Sequence, residues 1–289
     1  MIEMVGFAYW FSTIPDSVKE DMLGPSAKTI GQGLNGIVSV FANPLLKLGM
    51  ISKKNIEEFE KELYSKTPEI PEENRDSSKQ GLAVQALEDA LYRLDEEELR
   101  EYYANLIAAA LDDRVNTNVH PSFSTILKQM SSEDALLFKQ LTRTSIFLLS
   151  QYLPLATVQM KLLPDGGYGM IYKDALILPT GDNFTIEQKN VSLSSLERLG
   201  LVKVYRNQQL SGPLRMIDTM PNEHGGREIK TLGSYDDCYS SLLDTEYCKE
   251  KTDQFQGFDV SGPEVIRGSI EITDLAKSLA GIIDPNVLK

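Results

Sequence analysis

Leu193, Leu196 and Leu199 recur at steps of three and stop at Gly200, and an alternating run, Leu201-Val202-Lys203-Val204-Tyr205-Arg206, follows at once. The first pattern is one apolar face of a short helix. Glycine takes the left-handed conformation that closes such a helix, and the second pattern is that of a half-buried strand. Ser269-Ile270-Glu271-Ile272 offers a strand that can return antiparallel to it. Thr273 then caps a last helix with Leu275, Leu279 and Ile282 on one side. Helix, leucine helix, glycine, strand, long loop, strand and helix is the order of a winged helix. Residues 131–289 are therefore expected to form a winged-helix-like α+β domain, with 207–268 as an enlarged wing.

The same half opens on Ser131-Ser132-Glu133-Asp134, hydroxyls and then acids at the positive end of a helix, with Leu137, Leu141, Phe147 and Leu148 as its apolar side. Beyond Pro154, β-branched and apolar runs flank Pro164-Asp165-Gly166-Gly167, and a hairpin is predicted there. Residues 1–130 read as a helical domain. Ser52 caps a helix with Ile56, Phe59 and Leu63 inward, and 67–80 reads as an exposed connector. Helix resumes over 81–112: Ala83, Leu87, Leu91 and Leu94 form one stripe, and Leu99, Tyr103, Leu106 and Ala110 another. Asp95 is placed to cap the second, Glu96 and Arg100 are spaced as an ion pair, and Ser122 is placed to cap a short helix with Phe123, Ile126, Leu127 and Met130 inward. The predicted fold is mainly α with a small β component.

Charge and composition narrow the function classes. With 29 Lys plus Arg against 42 Asp plus Glu the chain carries −13, against the requirement of a nucleic-acid coat or of a protein held on anionic lipid by charge. Two His and two Cys leave little for a zinc site or a disulfide framework. Cys238 and Cys248 match no metal spacing and read as free thiols in a reducing cytoplasm. The first residues lack the basic region of a secretory signal, and no long uncharged apolar run predicts a spanning helix. Cytoplasmic location is the expectation.

Few motifs carry chemistry. Gly31-Gln32-Gly33-Leu34-Asn35-Gly36 matches a dinucleotide fingerprint by letter but has no strand before it. It overlaps the stripe Ile30, Leu34, Ile37, Phe41, Leu45 and Leu48, which reads as a packed helix face or as a surface for membrane or partner. His120 and Ser122 stand two apart with no third group to orient a base, so the structural reading is preferred. Glu96, Glu97, Glu98 and Glu101 read as a solvated acidic face. No catalytic, cofactor-binding or metal-binding residue is assigned, and no cofactor is expected. On the short leucine helix and the strand after it, Ser192, Ser194, Ser195, Arg198, Lys203 and Arg206 are the candidate partner or nucleic-acid contacts. DNA readers array more cations along this element, so protein docking or self-association, a homodimer included, is favoured over DNA.

The run Leu94-Asp95-Glu96-Glu97-Glu98-Leu99-Arg100-Glu101-Tyr102-Tyr103-Ala104-Asn105-Leu106-Ile107-Ala108-Ala109-Ala110, then Val119-His120-Pro121-Ser122-Phe123 and Ile126-Leu127-Lys128-Gln129-Met130-Ser131, resembles the bacterial abortive infection alpha (Abi-alpha) family. Leu199-Gly200-Leu201-Val202 is similar to a later element of that family, and Ile272-Thr273-Asp274-Leu275-Ala276 departs from its last. The resemblance implies a bacterial or prophage protein of antiviral defence and phage resistance, in which an infected cell stops growing or dies before phage mature. It brings no catalytic residues with it. The expected function is thus phage defence by binding rather than catalysis, with the winged helix docking a partner or a second copy. The alternatives are a DNA-binding winged-helix regulator using Arg198, Lys203 and Arg206, and a membrane-acting effector using the 30–48 stripe in transient membrane contact.

Overall fold

The computed structural model describes residues 38, 42, 45–67, 70–76, 78–163, 166–180, 183–221, 227–255 and 259–285. The chain divides into two compact units, Met1–Ser132 and Glu133–Lys289.

The first unit is helical among its described residues. Helix α1 (Lys53–Lys66) starts where Ser52 Oγ accepts from the Asn55 N–H at 3.1 Å, and it buries Ile56, Phe59 and Leu63. Helix α2 (Gln80–Ala90) buries Ala83, Ala86, Leu87 and Ala90. Helix α3 (Glu97–Ala110) is flanked by α1, α2 and α4 (Ser122–Gln129). Leu99, Tyr102, Tyr103, Leu106 and Ile107 are all buried along one side of it, and Arg100 and Asn105 are buried beside them, so burial reaches well beyond the apolar stripe. Its alanines at 104, 109 and 110 are buried too, leaving room for its neighbours. Asp95 does not cap it: the residue at the cap is Glu96, whose side chain makes no capping bond.

The second unit is built around a sheet. Helix α5 (Ser132–Phe147) leads to β1 (Tyr152–Lys161), β2 (Tyr168–Thr180) and β3 (Asn183–Glu187). Helix α6 (Asn190–Arg198) follows, then β4 (Val202–Tyr205). A two-stranded sheet, β5 (Pro213–Pro221) with β6 (Arg227–Ser234), precedes α7 (Tyr235–Ser240) and α8 (Glu246–Asp253). Strand β7 (Glu264–Ile272) returns to the main sheet, and α9 (Asp274–Ile283) ends the unit, capped by Thr273 Oγ1. The main sheet has five antiparallel strands in the order β3-β2-β1-β7-β4.

The winged-helix expectation is overturned here. The local pieces are as read: Leu193 and Leu196 are buried, Gly200 takes φ 75°, and β4 pairs with β7 through Val202↔Ile272 and Tyr205↔Ser269. But β7 also pairs along its length with β1, from Tyr152↔Glu271 to Gln159↔Glu264. The 156–178 hairpin therefore supplies two strands of the same five-stranded sheet. Residues 207–268 are not a wing either. After the β5–β6 ribbon they send Cys238, Tyr239, Leu242 and Cys248 into one apolar cluster with Ala156, Val158, Met160, Ile171, Ala175 and Ile177. Strand β1 is buried on both faces, with Leu153 and Leu155 on the side opposite that cluster. Both thiols are free and buried, and burial pushes the Cys238 thiol up to about 12, so neither is a poised nucleophile.

Two close approaches set this packing. The Phe255 ring lies where a side chain at Gly169 would begin, 2.3 Å from an added Cβ. At Gly268 an added Cβ would stand 2.6 Å from the Tyr205 carbonyl oxygen and 3.2 Å from Arg206 Cα. The second neighbour is backbone and cannot step aside. Gly268→Ala is expected to lower stability by about 1–3 kcal/mol, read as a fall in urea midpoint at unchanged slope. Gly81→Ala, on α2 with open space at its Cβ, is the control and is expected to leave the midpoint unchanged or slightly raised.

Candidate functional site

The segment 94–131 forms α3, α4 and the turn between them, and an internal polar framework holds that turn. Residues 70–76 and 78–80 are no exposed connector. Arg75 bridges Asp112 in antiparallel fashion, the Asp113 N–H donates to the Asn74 carbonyl (2.9 Å), and the Asp76 N–H donates to the Leu111 carbonyl (3.0 Å). Asn116 is buried, and its amide donates to Asp76 Oδ2 at 2.7 Å. Lys79 Nζ reaches the carbonyls of Asn116 and Val119, the latter at 3.1 Å, and so clamps the strand of chain that enters His120-Pro121. The sequence reading missed this docking because it joins main-chain groups, which leave no residue signature, to polar side chains whose partners lie far along the chain.

Charges inside the unit are engaged in the same way. Arg100 is buried. Its Nε donates to Glu62 Oε1 at 2.8 Å, its Nη1 lies 3.2 Å from Glu58 Oε2, and Nη1 also donates to the Leu94 carbonyl at 3.0 Å. The helical pair expected between Glu96 and Arg100 is thus replaced: Arg100 turns to α1, and Glu96 accepts instead from Arg93 at 2.6 Å and from Ser132 Oγ at 2.5 Å. Burial raises the Glu62 carboxyl against the lowering effect of Arg100. Asp89 accepts from Ser124 Oγ at 2.7 Å and pairs with Lys128 at 2.9 Å. Asp112, buried, accepts from the Arg114 side chain and N–H, and the guanidinium holds its carboxyl below the usual range.

His120 and Ser122 do meet. His120 Nδ1 lies 2.7 Å from Ser122 Oγ and accepts the Ser122 N–H at 3.1 Å. The ring therefore caps α4 by taking an N–H of its first turn, a role the sequence gives to Ser122. A base accepting that N–H on Nδ1 would relay a proton from Oγ only with its ring fixed by a third group. The other ring contact is with Phe123, tilted at 5.9 Å between centroids. Beside the turn, Leu82, Gln85, Leu106, Val119, His120, Pro121 and Ser124 line a shallow notch of about 200 Å³ including its open mouth. Most of that volume is open mouth, and the enclosed part is about the size of one water molecule, too small to hold a small-molecule ligand. Among the described residues no group of three or more His, Cys, Asp or Glu is arranged to hold a metal ion.

The other candidates fall in the second unit or outside the described residues. Ser192 is buried on α6, Ser194 is exposed, and Ser195 Oγ donates to Asp134 Oδ2 at 2.8 Å. Arg198 is exposed in the last turn of α6. Lys203 Nζ is 3.7 Å from Glu271. Arg206 crosses Gly268 to bind both oxygens of Asp174, with Nη2 at 2.9 Å and Nε at 3.1 Å. Lys203 and Arg206 thus each hold a carboxylate of the sheet. Of the 30–48 stripe, Ile30, Leu34, Ile37 and Phe41 lie outside the described residues, as does the glycine motif. Leu45 is half-buried and Leu48 is 73 % exposed. No helix among the described residues is long and apolar enough to cross a membrane.

Two measurements test the framework. Arg100→Ala is expected to cost about 2–3 kcal/mol, since it strips two carboxylates and a carbonyl of one buried donor. For Asp112 the sign follows from its lowered pKa. Its contribution is complete above the ordinary value of 3.8 and is lost as pH falls below that value toward the depressed one. Melting temperature against pH should show that acid limb in the native chain and a flatter one in Asp112→Asn.

A family model described as abortive infection alpha matches residues 51–283. No curated protein and no solved structure matches the chain. The matched span takes in both units and every described element from α1 to α9, and the chain belongs to the abortive infection alpha family.

Proposed function

We propose that the protein serves abortive infection by binding, with the α3–α4 turn and its notch as the docking surface of the N-terminal unit. Its family suggests an abortive infection role in defence, and phage is the challenge this reading assigns to it. The observation that carries the binding reading is how the motif's polar groups are used. Arg100, Asp89, Asp112, Asn116 and Lys79 are each engaged by other groups of this chain and shape a surface, while the notch beside His120 is small and lined mainly by apolar groups. Rigid support beneath an exposed turn is what a docking surface requires, because ordering a loop on binding would subtract from affinity. The C-terminal unit supplies a second body, and self-association belongs to the same reading.

Plating phage on cells with and without the gene tests the role, and two variants test the mode. Lys79→Met releases the carbonyls of Asn116 and Val119 and is expected to abolish protection. Ser122→Ala removes only a hydroxyl and is expected to retain it. Loss of protection in Ser122→Ala at an unchanged unfolding midpoint would overturn the binding reading in favour of nucleophilic chemistry at Ser122.

A further inference from the structure

Arg100 reaches from α3 to α1 and takes two carboxylates there. Its side chain is 9 % exposed, its Nε donates to Glu62 Oε1 at 2.8 Å, and its Nη1 lies 3.2 Å from Glu58 Oε2. Glu58 and Glu62 stand four apart on α1, so two like charges one turn apart share one cation. Glu58 has a second cation in the exposed Lys54, at 3.5 Å. The other oxygen of Glu62, Oε2, is buried and accepts no hydrogen bond. From α3, Glu97 and Glu101 add their negative charge at the same place. The contact thus sets the buried Arg100, with Lys54 at its rim, against Glu58, Glu62, Glu97 and Glu101.

A carboxylate tolerates removal from water only when donors meet its oxygens. Oε1 of Glu62 satisfies that condition and Oε2 does not. A proton on Glu62 removes the charge that lacks a donor, leaves Oε1 to accept from Arg100, and leaves Glu58 to balance the guanidinium. Burial is accordingly the largest influence on this carboxyl and raises it above its ordinary 4.5. The bond to Arg100 and its charge oppose the rise, and Glu101 and Glu97 add to it. Glu60 on the same helix is raised as well, by burial and then by Glu57.

We propose that the α1–α3 contact is a proton-sensitive clasp, in which uptake of one proton at Glu62 tightens α1 on α3 and its loss loosens it. The direction follows from linkage. A carboxyl that holds its proton more firmly in the folded chain contributes stability that is complete below its ordinary value and is lost as pH rises through the raised one. Asp112 works in the opposite sense, since its contribution is lost in acid. The moving part is α1, whose buried side is short, and its release uncovers Ile56, Phe59 and Leu63. The clasp goes beyond the binding reading and does not rest on it.

Carbon-13 NMR of the glutamate carboxyls in the full chain, assigned through Glu62→Gln, reads the proton directly. Glu62 is expected to titrate above 4.5, and a value at or below 4.5 overturns the proposal. Amide exchange along α1, corrected for its intrinsic rate, reads the clasp. Protection over 56–63 is expected to fall at least about threefold between about pH 5.5 and about pH 7.5 in the native chain. It should fall less in Glu62→Gln, whose amide oxygen still accepts from Arg100 and whose side chain carries no charge. Every other titrating group is common to both chains, so the difference between them belongs to Glu62. Replacing Glu97 and Glu101 together by Gln should move the change to lower pH. Protection that is flat or rises with pH overturns the proposal. So does an equal fall in Glu62→Gln, or a double variant that leaves the change where it was.

Discussion

The antiparallel pairing of β1 with β7 is the contact on which the C-terminal unit closes. It joins residues from the two ends of the unit, and everything between them must fold back for it to form. Once β7 is in place it offers its second edge to β4, so one strand ties the first hairpin to the leucine helix. Gly268 lies at the crossing, where the chain leaving β4 passes over β7 with no room for a Cβ. That passage lets Arg206 reach Asp174, which occupies a left-handed φ of 48° within an irregular stretch of β2. Thr157 Oγ1 accepts the N–H of that residue at 3.3 Å. A carboxylate held on both oxygens, with its backbone donor also satisfied, can hold a conformation its own preference disfavours.

This dependence explains what could be read from the chain and what could not. Leu193, Leu196, Gly200, the alternation through Tyr205 and the Thr273 cap are local features, and each stands where its pattern puts it. The return of Ser269–Ile272 against β4 was also legible, since alternation and length agree. The other edge of β7 carries no such signal. Its partner, Tyr152–Gln159, is buried on both faces, and Leu153-Pro154-Leu155-Ala156 shows no alternation to reveal what it faces. With that pairing unseen, a sheet of five strands reads as a hairpin followed by a winged helix. The insertion misled for a related reason. Cys238, Tyr239, Leu242 and Cys248 are spread through an acidic, polar stretch, and their common face shows only once α7 and α8 lie on the sheet.

In the N-terminal unit the stripes of α1 and α3 were legible because burial follows helical spacing. The polar framework was not. Arg100 had an acid four positions before it on its own helix, yet it binds Glu58 and Glu62 from α1. A long-range ion pair wins because α3 is sunk among its neighbours, and a guanidinium leaving that core takes the carboxylates at its rim. His120 likewise caps α4 in place of Ser122, because its ring folds back onto the first N–H of the helix while Phe123 goes inward. In each case the residue type announced a charge or a polar contact, and the tertiary structure chose the partner.

The two units thus put polarity to different uses. In the first, ion pairs and side-chain bonds to carbonyls hold a turn in shape, and what reaches the surface beside His120 is mostly apolar. In the second, they lock a strand crossing and occupy one sheet edge, where Glu197 accepts the Val204 N–H and Lys203 pairs with Glu271. An occupied N–H and a lysine on β4 make that edge strand a poor template for a further strand, so the same polar groups that hold the crossing also limit what can pair beside it.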